Sequence, residues 1–140
     1  MKTARQLRIT AKEYEALLKV RDLLSKREVL FDMGTILNEK RYRRGFGKDV
    51  HNCGTVGCIG GWMAVIMHGG LDDFNFDRMS DDVISYVERG RSSALDKLFY
   101  PGGVHVDLWS EITPGHAIRA MDNFMNTGDP DWLSIMQENI

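Results

Sequence analysis

The chain has only two cysteines in 140 residues, Cys53 and Cys58. Two thiols cannot build a disulfide scaffold, and without a secretory pattern they point to a reducing, cytoplasmic setting. The opening residues, MKTARQLRIT, are basic but lack the apolar stretch of a secretory signal. Long apolar runs are missing too. The longest, Val56 to Met67, has 12 residues, against the ~20 that a membrane-spanning helix needs. There is no internal repeat and no low-complexity tract, so nothing divides the chain, and one domain over 1–140 is expected. These absences lead us to expect a soluble cytoplasmic protein with no membrane partner.

The charge is balanced overall and unbalanced along the chain. Residues 1–50 carry a net +6 and residues 51–140 a net −8, which together give −2. Either the two halves attract each other across the fold, or a basic surface serves an anionic partner and an acidic surface serves something else.

Periodicity is mostly helical. Thr10 followed by Glu13 forms a capping box, and the apolar spacing after it predicts a helix over 11–26 with Leu17, Leu18 and Leu24 facing inward. The stretch VLFDMGTIL (29–37) suits either a short helix or a buried extended segment. Residues 38–49 read as a basic loop and 72–77 as an acidic one. SDDVISYVER (80–89) predicts a helix ended by Gly90, and Ser92 is a candidate cap for the next turn, with Leu95, Leu98 and Phe99 inward. Residues 101–109 predict a turn with at most a short strand over Val104–Leu108. Thr113-Pro114 starts a helix whose inner face is Ala117, Met121, Phe124 and Met125 and whose stop is Gly128. Asp129-Pro130 starts a last helix carrying Trp132, Leu133 and Met136. The predicted fold is all-α or nearly so: a compact bundle of five or six short helices around a buried Gly-rich central helix.

That central helix is predicted to begin at Val56 after a Thr55 cap, which makes Cys58 its third residue. A thiol there would feel the positive end of the helix dipole, as reactive cysteines do. It would also need a base. His68 lies about 15 Å further along the helix by its rise, His51 sits in a loop, and no Gly-x-Ser-x-Gly or papain-like Cys-Trp motif is present. A zinc site could use His51, Cys53 and Cys58 with His105 or His116, but the second close ligand pair of strong zinc patterns is missing. The third reading is core. Gly57, Gly60, Gly61 and Ala64 form one stripe of minimal side chains that lets another backbone approach, and a buried Cys58 packs as a small hydrophobe. Core packing is the expectation, with a thiol enzyme or small zinc protein as the alternative.

The series FDMGTI (31–36), CGTVGCIGGW (53–62), LFYPGG (98–103) and TPGHAIRAMDNFMNTGDPDW (113–132) resembles a group of small uncharacterised phage and bacterial proteins. These share a CGTxxC[IV]xGW core, an LFxP motif and a TP…GxxDW end. The resemblance covers roughly 31–132. It implies one compact fold and a phage or mobile-element setting, hence the host cytoplasm, where interference with a host or defence factor is a possible role. The basic stretch at 40–48 does not belong to the group's pattern.

That stretch, KRYRRGFGK, interleaves Arg41, Arg43, Arg44 and Lys48 with Tyr42 and Phe46. Arg44 to Gly47 matches the opening of an RNA-recognition motif, but Lys48, Asp49 and His51 stand where Phe, Val and an aromatic are required. Arginines can still grip phosphates or carboxylates bidentately while the aromatics stack. The sequence therefore predicts a non-enzymatic binding protein without cofactor or bound metal. Arg41, Tyr42, Arg43, Arg44, Phe46 and Lys48 are its contact residues for a protein, nucleotide or nucleic-acid partner. An oligomer built on Trp109, Trp132 and the methionines is a third possibility.

Overall fold

The computed structural model describes residues 1–39, 55–71 and 76–137. Two consecutive capping boxes open the chain. Thr3 caps α1 (Ala4–Leu7) and Thr10 caps α2 (Ala11–Ser25), each hydroxyl accepting the N–H three residues on. Arg8 turns the chain between them in the left-handed region, at φ 60°. On α2 the buried stripe is Glu13, Ala16, Leu17, Val20, Leu23 and Leu24. Leu18 is a correction: it is exposed. It stands 100° around the helix from Leu17, on the side of Arg21 and Tyr14.

The ambiguous stretch 29–37 is extended. It holds β1 (Leu30–Phe31), a tight turn in which Asp32 Oδ1 accepts the Gly34 N–H at 2.8 Å, and the start of β2 (Leu37–Glu39). With β3 (Thr55–Gly57) these form a small sheet in the order β1-β3-β2, β1 parallel and β2 antiparallel to β3. The sheet overturns the predicted helix start at Val56. Pairing on both sides keeps the chain extended through Gly57, so α3 runs Ile59–Met67 and its cap is Cys58, not Thr55.

Every residue of α3 from Ile59 to Val65 is buried. α2, α4 (Phe76–Ser85), α5 (Asp96–Phe99) and β3 all pack against it. Helix α4 starts before the predicted Ser80 and takes in the end of the supposed acidic loop, of which 72–75 lie outside the described residues. It ends in one π-helical turn, Tyr86–Gly90. A 3-10 turn (Ser93–Leu95) leads into α5. Another, Val106–Glu111, replaces the short strand considered for 104–108. There His105 Nδ1 accepts the Asp107 N–H at 3.2 Å, and local bonds of the turn take the place of strand pairing, for which no partner strand stands among the described residues. The C-terminal expectations hold. Thr113 and Pro114 start α6 (Pro114–Thr127), its inner face is as predicted, and Gly128 stops it at φ 88°. Helix α7 (Trp132–Gln137) buries Trp132, but Leu133 is exposed and Met136 half-buried. The fold is compact and all-α apart from the small sheet. No helix among the described residues is long and apolar enough to cross a membrane.

Candidate functional site

The cysteine segment is built around one carbonyl. Ile36 O accepts the Cys58 N–H at 3.4 Å, and the Cys58 thiol lies 3.8 Å from it. The thiol sulfur in turn accepts the Gly61 N–H at 3.4 Å, which caps α3. From the next turn of α3, the buried Trp62 reaches Leu30 O through its indole N–H at 2.8 Å. The glycines allow this closeness. A Cβ on Gly61 would sit 1.8 Å from Ile36 O, and one on Gly57 2.9 Å from it. So the small-residue stripe does admit a neighbouring backbone, but the neighbour is the strand entry at Ile36. Gly60 faces the Phe99 ring of α5 instead.

Cys58 therefore packs in the core as expected and does not match the alternative of an activated thiol. It is the cap, not the third helical residue, and it is 3% exposed. Burial pushes its thiol up from the ordinary cysteine value, outweighing the backbone N–H groups aimed at the sulfur. A protonated, enclosed sulfur is a poor nucleophile. His51 and Cys53, the other members of the alternative metal set, lie outside the described residues. The two candidate fourth ligands, His105 and His116, come together on one groove. Each spends Nδ1 on a cap, accepting the backbone N–H of Asp107 and of Thr113. Among the described residues no three metal-ligating side chains converge.

The basic contact residues Arg41, Tyr42, Arg43, Arg44, Phe46 and Lys48 also lie outside the described residues. Their attachment points are described. Glu39, the last residue of β2, is the register partner of Thr55, the first of β3. The described residues on either side of 40–54 are therefore paired at one end of an antiparallel ladder. The other end of that ladder, Leu37 opposite Gly57, abuts the Cys58 cap of buried α3.

A polar cluster joins the two halves of the chain, and the sequence hid it. Glu13 reads as half of a capping box, but it is 3% exposed and also binds across the fold. Its Oε2 accepts Tyr86 Oη at 2.6 Å and the Ser92 N–H at 3.0 Å, while Oε1 accepts the Thr10 N–H at 2.9 Å and the Ser92 hydroxyl. Ser92 thus serves Glu13 and makes no side-chain cap for its own turn. Burial pushes the Glu13 carboxyl up, yet the donors on Ser92, Thr10 and Tyr86 together hold it below the ordinary carboxylate value. With two donors on each oxygen, Glu13 has little capacity left for a ligand, and its role is structural. The ion pair Arg21–Asp122, with bonds of 2.6 and 2.9 Å, is a second link between the basic and acidic halves.

Trp132 does not serve as an interface residue. It is buried and donates its indole N–H to Leu98 O at 3.2 Å. Trp109 is half-buried and donates to Val104 O at 3.0 Å. Comparison with protein-family models, with curated proteins and with solved structures gave no match.

Proposed function

We propose that this is a non-enzymatic binding protein that takes an anionic partner, an acidic protein surface or a nucleotide or nucleic acid, through Arg41, Tyr42, Arg43, Arg44, Phe46 and Lys48. One observation carries the reading: the Glu39–Thr55 pairing roots both ends of this cationic segment on a sheet bonded to the buried helix α3. Anchored ends reduce the ordering cost of presenting arginines to a partner. The enclosed, protonated Cys58 counts against the thiol-enzyme alternative. The resemblance of the motif series to small phage and bacterial proteins supports a phage or prophage accessory role in the host cytoplasm. Interference with a host or defence factor is the setting that fits it.

The test compares the wild type with the triple variant Arg41→Ala, Arg43→Ala, Arg44→Ala. Fluorescence anisotropy would use a labelled single-stranded oligonucleotide and a labelled poly-glutamate peptide as probes, alongside capture from host lysate with and without nuclease. Binding should fall at least tenfold in the variant and weaken with salt, while the melting temperature stays within about a degree or two. Unchanged binding and capture would rule this reading out.

A further inference from the structure

The acidic half has a surface of its own, formed where α5, the 3-10 turn Val106–Glu111 and α7 meet. Two depressions lie side by side there. One is a groove of about 530 Å³ lined by Val104, His105, Leu108, His116, Leu133 and Met136. The other is a polar hollow of about 360 Å³ whose walls include Asp96, Tyr100, Asp129, Asp131 and Leu133. Leu133 lines both. Leu108 and Leu133 are each 45% exposed. Folding has thus left two leucines from separate elements lining one groove in contact with water, an arrangement typical of recognition surfaces.

Charge narrows the choice of occupant. Four acidic side chains line the two depressions, Asp96, Glu111, Asp129 and Asp131, against Lys97. Within the hollow, Asp96 is held by Arg91 at 2.5 Å, and Arg91 lies over the Tyr100 ring at 5.4 Å, so Asp96 already has a cationic partner. Lys97 offsets one further charge. Asp129 and Asp131 stand on the tight turn into α7, and Glu111 lies at the edge of the apolar groove. An anionic ligand would meet this field unfavourably. An uncharged apolar one would leave the acidic hollow unused.

We infer that this double depression is a docking surface for a basic amphipathic segment of a partner protein. The segment's apolar side chains enter the groove beside Leu108 and Leu133, and its Lys or Arg side chains lie over Asp129 and Asp131. An apolar face seated in a groove with flanking charges matched is a common mode of peptide recognition. This surface shares no residue with the cationic segment of the proposed function and is opposite to it in sign, so the two readings are tested independently.

The experiment titrates the isotopically labelled protein with a short amphipathic helical peptide of leucine and lysine. Two control peptides replace the leucines by serine or the lysines by glutamate. Amide shifts should cluster at 102–111 and 129–137. Affinity should fall about tenfold or more in Leu108→Ser and in Leu133→Ser. In Asp129→Asn/Asp131→Asn it should fall severalfold and lose part of its salt dependence. The triple arginine variant of the proposed function should bind the peptide as the wild type does. Both leucines are partly exposed, and thermal melts would confirm that the variants fold. The inference is overturned if either control peptide binds equally well or if the shifts fall elsewhere. It also fails if light scattering shows a dimer that Leu133→Asp dissolves, since the face would then belong to a second copy.

Discussion

Replacing Gly61 with alanine sets helix propensity against packing, and the structure says which should prevail. In the interior of α3, alanine would be favoured over glycine by ~1 kcal/mol. The added Cβ, however, would lie 1.8 Å from Ile36 O and 2.9 Å from the carbonyl carbon. Ordinary carbon–oxygen contacts begin near ~3.3 Å, so the strand entry would have to retreat by roughly 1.5 Å to reach that separation. That obstacle is backbone, which cannot rotate aside as a side chain can. Its retreat would break the 3.4 Å bond from the Cys58 N–H, worth ~1 kcal/mol, and overpack a fully buried site by about 3 kcal/mol. After the propensity gain, the net loss is about 3 kcal/mol, or roughly 10 °C in melting temperature for a chain of this size. Two further substitutions calibrate the result. Gly60→Ala would press on the buried Phe99 ring, at 2.9 Å, a side chain that yields more readily than backbone, so it should cost clearly less than Gly61→Ala. Gly115→Ala, in the first turn of α6, where an added Cβ would lie 3.6 Å from the Thr113 hydroxyl, should stabilise by ~0.5–1 kcal/mol. Urea and thermal unfolding of the three variants read these differences directly. If Gly61→Ala proved as stable as Gly115→Ala, Ile36 would not approach α3 as described, and the account of the glycine stripe would fail.

Glu13 should make stability fall in acid. Because its folded-state carboxyl is held below the ordinary value, its contribution is full above the unfolded pKa and is lost as pH falls through the folded one. Melting temperature should therefore drop between about pH 5 and pH 3 more steeply in the wild type than in Glu13→Gln. Glu13→Ala, which leaves donors of Thr10, Tyr86 and Ser92 unpaired, should cost about 3 kcal/mol at neutral pH. A Glu13→Gln profile parallel to the wild type would refute this reading. Cys58 should be inert in the native state. In a Cys53→Ser background the remaining thiol should react with a disulfide reagent at neutral pH only after denaturation, because burial keeps it protonated and covered. Fast native labelling would reopen the case for a nucleophile.

What could be read from the residues was what depends on neighbours in sequence. The Thr10–Glu13 box and the Thr113-Pro114 start with its Gly128 stop appear as predicted, because caps and left-handed stops are satisfied within one turn of chain. The inner face of α6 followed from its 3.6-residue period in the same way. The burial of the cysteine helix followed from its lack of any charged residue. Partners distant in sequence were decided by tertiary structure. Pairing of β3 with β1 and β2 moved Cys58 from the third helical position to the cap, and the Ile36 carbonyl explains glycines that looked like a helix–helix contact. Glu13 carried a local signal strong enough to hide its long-range one, since one carboxylate can close its own helix cap and still accept Tyr86 and Ser92. Leu133 and Leu108 lie 25 positions apart in the chain, and only folding lines one groove with both. The sequence by itself determined the helical class, the capped ends of α2 and α6 and the excess of basic and acidic charge in opposite halves. The assignment of those charges to surfaces, and of Cys58 to the interior, required three-dimensional packing, because burial and proximity depend on residues that no local pattern links.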